Sequence, residues 1–542
     1  MIIIQPSTLK TLGIPLLLVA GVYLYHKLYF KRFIHNAHIP QLPSSLLWGH
    51  LVMFDKFTKR GVQDRHPDII IDEMHRALGQ PPVMLLDSWP IAPPMVVVAS
   101  HEVAEQISRA SNHLPYSVPK APSAEGIANL IGRDSILVKH DEEWKAIRKR
   151  FNSGFAPRHL ISLLPVILAK TMRYLDILDT FALTGQAFSL DRHTTNLTFD
   201  IIGAVAMDED MKAQNIDQAS QGELIRMFKD MITTYANDKL HLPWWLHPRV
   251  YLKRRQLGDR ISHVLRDIVR RNFNDVKANR GSLTIVALSL QETDSLTPEV
   301  LEETCDQLKT FLFAGHDTTS TTIIWAIYEL SRTPHALKAT QDELDRLFGQ
   351  KRNPNDVNEA LLSSEGDKII HQMTYISAVL REVLRLHPPA GSLRMPRDKT
   401  GFHVSTEQGD YNLNNNWIYI NHYIIQRDKA IYGDNSDCFV PERWLEAENS
   451  IPASAWRPFE RGPRNCIGQE LANIEARVII AMVIRRYEFV KVGLGEMDLN
   501  SHGRPTTDEE TKQFKARSDL YSTIQITAKP VDGMMMKARL IQ

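Results

Sequence analysis

Only three cysteines, Cys305, Cys438 and Cys466, occur in 542 residues. That is too few for a disulfide framework, so a reducing compartment is the expected setting of the folded part. Neither sign of charge is in excess, with 64 lysines and arginines against 63 aspartates and glutamates. No basic surplus is available to neutralise phosphates, which excludes a nucleic acid as the main partner. Internal repeats are absent, and no linker divides the body. With 43% hydrophobic residues, such a chain can bury one large core.

Long apolar runs are also scarce. The one conspicuous case is N-terminal, from Thr11 to Tyr25, shorter than the roughly 20 residues that a spanning helix needs. Extended to Phe30, with Lys10 and Lys27 reaching toward the interfaces, it becomes long enough to span. The basic residues His26, Lys27, Lys31 and Arg32 follow it, which predicts a cytosolic body. A cleaved signal peptide fits less well, because the first residues are nearly uncharged and no small-x-small cleavage site precedes the basic run. The expected division is a membrane anchor over 1–32, a hinge with Pro40 and Pro43 over 33–60, and a single large domain over 61–542.

Residues 83–86 and 95–99 are short aliphatic runs that predict a strand pair, with Ser100 capping the next helix. From about 140 to 350 the pattern is helical. Residues 351–368 read as a polar loop, and an amphipathic helix then runs to His387 and stops at Pro388-Pro389. Strand-like runs return at Trp417–Ile420 and Tyr521–Thr527, and an irregular stretch covers 427–465. The fold class is therefore mainly α with a minor β-sheet.

One loop carries unusual chemistry: Phe459-Glu-Arg-Gly462-Pro-Arg464-Asn-Cys466-Ile-Gly468. Its glycines and prolines forbid helix or strand interior, and a lone cysteine sits just before a helix starting near Gln469. Amide groups at a helix start, with Arg461 and Arg464 nearby, favour a thiolate. A single thiolate ligand pushes electron density onto a haem iron and favours O–O cleavage. Cys305 and Cys438 lack such a setting and read as inert. A second segment, Thr297-Pro298-Glu299, starts a helix of about 35 residues. Midway along it, Ala314-Gly315-His316-Asp317-Thr318-Thr319 combines glycine with hydroxyls that bond back to the helix's own carbonyls and invite a kink. Asp317 and Thr318 supply an acid and a hydroxyl suited to relaying protons.

These residues resemble the cytochrome P450 superfamily. Phe459, Gly462, Arg464, Cys466 and Gly468 match its haem-binding signature at every fixed position, a coincidence expected on the order of once in 10⁵ such chains. Ala314 to Thr319 match its oxygen-activating motif without departure. The resemblance implies the P450 fold, haem b with Cys466 as axial ligand, and Thr318 and Asp317 as the catalytic proton relay. It makes Glu382 and Arg385 a buried pair joined by Arg443 of Pro441-Glu-Arg-Trp444, where the family's usual last residue is Phe. The helix's own periodicity instead places that pair on the surface. Trp144 and Arg148 match the W-x-x-x-R that holds a haem propionate through charge-assisted bonds. For a second propionate arginine, Arg394 and Arg397 compete.

The resemblance further implies a microsomal enzyme of the endoplasmic reticulum, in contact with membrane lipid. Its electrons come from an NADPH-cytochrome reductase docking near Lys139, Lys145, Lys149 and Arg150. The leading function is insertion of one atom of O₂ into a lipophilic small molecule, with likeness to fungal secondary-metabolite enzymes. An O₂-independent isomerase or dehydratase, and a haem-binding protein without turnover, are the alternatives. Substrate-facing positions are expected over 112–130, 311–313 and 390–393.

Overall fold

The computed structural model describes residues 6–112, 114–236, 246–280, 284–397, 401–446, 451–525 and 527–541, with side chains described from residue 18 onward. The N-terminal run forms helix α1 (Pro6–Tyr29), but a membrane-spanning segment is not supported. Among the described residues no helix is long and apolar enough to cross a membrane. The uncharged stretch from Thr11 to Tyr25 would rise only about 22 Å at 1.5 Å per residue, short of the ~30 Å hydrocarbon core. Beyond α1 the chain is tied to the body. Arg32 is buried and pairs with Asp87 at 3.3 Å, and Ile39, His50 and Phe57 are buried too.

A four-stranded sheet carries one side of the molecule, built from β1 (Val83–Leu86), β2 (Met95–Val98), β3 (Ser392–Arg394) and β4 (Trp417–Ile420). Its order is β1-β2-β4-β3. Val83 lies opposite Val98 in the antiparallel β1–β2 pair; Val96 faces Ile418 in the parallel β2–β4 pair; Arg394 faces Ile418 from the other edge. Alternation places Val83 and Leu85 on one face with Val103 and Ile107, and Met84 and Leu86 on the other with Ile70 and Met74. The expected strand pair is therefore present, and Ser100 Oγ accepts from Val103 N as the cap of the following helix.

The rest is mostly helix. The elements that matter for the site are α2 (Asp141–Asn152), α3 (Leu190–Met207), α4 (Pro298–Arg332), α5 (Thr374–Leu386) and α6 (Gln469–Arg486). Thr297 Oγ1 caps α4 by accepting from Val300 N, with Pro298 at its first position. From Ile323 to Leu330 every α4 side chain is buried, because α3, α5 and α6 enclose it. Such a helix is central rather than amphipathic. It runs helical throughout, so the hydroxyl-rich motif does not break it.

Residues 351–368 correct the expected loop: they contain helix Pro354–Leu362 and the start of Gly366–Gln372. Asn353 caps the first, Pro354 opens it, and Val357 and Leu361, four apart, bury one face. The late strand run holds a hairpin, β5 (Ser522–Ile524) with β6 (Ala528–Pro530), which reaches back to α4.

Candidate functional site

A cavity of about 280 Å³ lies between α4 and the cysteine loop. Its walls are largely apolar, with Phe311, Ala314, Leu380, Leu384, Ile467 and Ala476 among them. Cys466 lines it from the loop and Thr318 from α4. The loop is held by Cys466 N donating to Phe459 O at 2.9 Å and Asn465 N to Gly462 O at 3.1 Å. Gly462 has φ +75°, and a Cβ there would fall 2.0 Å from Ser108 O; no other residue fits this turn. At Gly468 no such clash exists, and its amide instead points toward the Cys466 sulfur. Cys466 is exposed, but into this cavity. Burial pushes its thiol up, while the Gly468 amide, Arg148, Lys120 and the Gln469 amide pull it down. A cation bound at the sulfur would decide that contest in favour of thiolate.

At the rim sit Lys120, Arg148 and Arg464. Among the described residues none of the three has a carboxylate partner within ion-pair distance. Arg148 donates to Asn465 O at 2.7 Å and to Asn465 Oδ1 at 3.0 Å, and Arg464 to Lys139 O at 2.7 Å. Arg464 also lies 4.8 Å from the centre of the Trp144 ring. Burial, then repulsion from Arg394 and Arg397, pushes Arg464 down to about 9. Burial, then Arg394, pushes Lys120 down to about 7. Buried cations that repel one another call for anions between them. An apolar slot with one sulfur at its wall and uncompensated cations at its rim fits a haem, whose disc is apolar and whose two carboxylates are anionic. Lys120 lies within the expected substrate-facing span 112–130, but its place as a rim cation was not evident, because a single lysine in a loop carries no motif.

Arg394 has another role. It is fully buried, does not line the cavity, and pairs with Glu460 at 2.8 Å. Arg397 is exposed and close enough to repel Arg464, but it does not line the cavity either.

Thr318 Oγ1 donates to Ala314 O at 2.8 Å. Asp317, next to it, is turned away from this cavity. It meets Lys529 of β6 at 2.7 Å and accepts from Thr527 Oγ1 at 2.5 Å. Burial alone would raise this carboxyl, but Lys529 and then His316 outweigh it and hold it below 3.8. Asp317, His316 and Lys529 line a second cavity of about 560 Å³ with Lys229 and Gln221. Acid and hydroxyl thus face different cavities on α4.

The Glu382–Arg385 pair is fully buried, against its own helix's pattern. Arg385 Nη2 donates to Glu382 Oε1 at 2.7 Å and Nε to Oε2 at 2.9 Å. Arg443 Nε donates to Oε1 at 3.0 Å. The departure at Trp444 adds a contact that Phe cannot make, an indole N–H donated to Glu382 Oε2 at 2.9 Å. The face around Trp144 is not simply basic: Lys139 pairs with Asp134, Lys145 with Glu142 and Arg150 with Glu303. Of the positions expected to face substrate, Lys120, Phe311 and residues 390–392 line the first cavity, Phe313 lines the second, and His113 lies outside the described residues.

The family model described as Cytochrome P450 matches residues 46–507. The chain is similar to "Cytochrome P450 monooxygenase acrF" of Aspergillus aculeatus, 30% identical over 88% of this chain and 97% of that protein. It is 28% identical to "Cytochrome P450 monooxygenase polC" of Polytolypa hystricis, over 86% of this chain and 85% of that one. A "Bifunctional cytochrome P450/NADPH--P450 reductase" of Aspergillus oryzae is 35% identical over 34% of this chain and 16% of its own length.

Proposed function

Because the chain belongs to the cytochrome P450 family, we infer that it is a haem-thiolate monooxygenase that inserts one atom of O₂ into a lipophilic small molecule. The observation that carries this reading is that Cys466 and Thr318 share one apolar cavity whose rim holds uncompensated cations. Bound there, the haem supplies oxygen activation, with Cys466 as its iron ligand. Arg148, Arg464 and Lys120 hold its carboxylates, and Trp144 packs against Arg464 to keep that guanidinium in place. The apolar walls orient a lipophilic substrate and exclude water, which strengthens every charge interaction inside.

The residues of α4 handle protons. Thr318 Oγ1 lies at the cavity wall and can turn its hydrogen from Ala314 O toward a reacting oxygen. Protons reach it from the Asp317 side, where the second cavity brings polar groups up to the helix. Asp317 must leave Lys529 and Thr527 to deliver one, so the relay is closed in this arrangement. Electrons come from an NADPH-dependent reductase; the existence of relatives fused to one supports that source.

The same reading places the body at the cytosolic face of the endoplasmic reticulum, held to lipid through α1. Exposed Leu18, Val19, Val22, Tyr23 and Leu24 on α1 support the lipid contact, and basic Lys27 and Lys31 support the orientation. Likeness to fungal enzymes supports a role in secondary metabolism.

The test is coupling. With reductase, NADPH and a turned-over substrate, Thr318→Ala should keep NADPH consumption within the same order while product per NADPH falls and hydrogen peroxide rises. Substrate binding should change little, as expected for an interaction used only along the reaction path. Unchanged coupling would remove the proton-relay role and reopen the O₂-independent alternative.

A further inference from the structure

The cysteine loop carries a second charged residue whose place the haem-binding signature does not explain. Glu460 follows Phe459, and its backbone is held at φ +56°, a left-handed conformation that a non-glycine residue keeps only when its surroundings enforce it. Its carboxylate is buried, with 8% of the side chain exposed. Oε2 accepts from Arg394 Nη2 at 2.8 Å and from Ser108 Oγ at 3.1 Å. Oε1 lies 3.1 Å from His422 Nε2 and 3.7 Å from Arg457. Three separate segments, and Arg457 of the loop itself, therefore converge on one carboxylate, which also lines the main cavity.

What this does depends on Arg394. Its guanidinium is fully buried. Among the described residues it meets, apart from Glu460, Val118 O at 3.2 Å and Ser117 Oγ at 3.4 Å, and its Nε finds no partner there. Lys120 bridges to Arg394 along the strand edge, so Arg394 stands beside the cations that line the rim. Without Glu460, Arg394 would be a buried, uncompensated charge, or it would compete for the haem carboxylates.

We propose that Glu460 neutralises Arg394 so that Lys120, Arg148 and Arg464 serve the haem carboxylates without competition from it, and that it thereby lowers the reduction potential of the bound haem iron. Removing one negative charge from a water-poor rim favours the less positive, ferrous state. Glu460 is a positioning residue: it acts through Arg394 and is not itself in the chemistry. The inference rests on the haem-thiolate reading of the site.

The experiment compares the midpoint of one-electron reduction of the haem, poised with dithionite and mediators, in the wild type and three variants. Glu460→Gln should move the midpoint positive, so that at the wild-type midpoint the ferrous-to-ferric ratio rises severalfold. Glu460→Asp, which keeps the charge, should return it toward wild type. The double variant Arg394→Gln/Glu460→Gln removes both charges and should also return it, which a purely structural role would not do. If Glu460→Gln fails to retain haem, the double variant should retain it, because no charge is left unpaired.

An unmoved midpoint in haem-replete Glu460→Gln would overturn the proposal. So would a double variant shifted as far as the single one, or one equally empty of haem. The reduced, CO-treated spectrum of the same wild-type sample separates the two levels. Absence of the thiolate band there would defeat the site reading, whereas its presence with an unmoved midpoint would defeat this inference alone.

Discussion

Glu382→Ala removes an acceptor on which the fold's buried charge depends. Five donors converge on this carboxylate: Arg385 Nε and Nη2, Arg443 Nε, Val440 N and Trp444 Nε1, all between 2.7 and 3.0 Å. The pair's exposure is zero on both sides, so solvent cannot replace what is lost. Breaking a buried ion pair by removing one partner costs about 3–5 kcal/mol, against a total stability of roughly 5–15 kcal/mol. The folded-to-unfolded ratio should fall by about 10²–10⁴-fold, which at the low end of that stability range leaves little haem-loaded protein to recover. Trp444→Phe removes one hydrogen bond to a charged group and should cost about 1.5–3 kcal/mol. Urea unfolding followed by tryptophan fluorescence and Soret absorbance measures both. If Glu382→Ala loses less than ~1 kcal/mol, or if Trp444→Phe is neutral, these contacts do not hold the segment before the cysteine as described.

Arg148→Ala and Lys120→Met should each weaken haem retention without abolishing the fold, read as faster haem transfer to apomyoglobin; unchanged transfer would remove them from the carboxylate cradle. The buried Asp317 is held below 3.8, so the unfolded chain takes up its proton first. The stability that Asp317 contributes is present above that value and lost as pH falls through the lowered one, and Asp317→Asn should flatten this acid limb. An acid limb of the same slope in the variant would assign it to other carboxylates. Removing residues 1–30 should release the protein from washed membranes with its haem intact, and quantitative sedimentation of the truncated chain would show that α1 is not what holds it there.

The sequence disclosed the site where chemistry and local backbone agree. Cys466 and Gly462 belong to one short loop whose turn and whose ligand occupy adjacent positions, so a single segment announces both. Likewise Thr297-Pro298 marks the start of α4 unambiguously. What stayed hidden depends on long-range packing. The burial of Glu382 and Arg385 is set by residues 426–444 folding over them, and the helix's own periodicity points the other way. Asp317 and Thr318 are neighbours in sequence, yet successive helical residues point about 100° apart, so the acid meets Lys529 more than two hundred residues away. Lys120 and Glu460 gain their meaning from distant neighbours, Arg394 among them. The apolar N-terminal run was legible as a helix, but among the described residues no helix is both long and apolar enough to cross a membrane.

Cys466, in the cavity beside α4, is the residue whose thiolate would hold the haem iron. Reduced and treated with CO, the wild type should show the red-shifted Soret band that thiolate ligation produces, and Cys466→Ser should lack it while keeping its far-ultraviolet circular dichroism. A band that survives in the serine variant, or one absent from haem-replete wild type, would contradict the assignment.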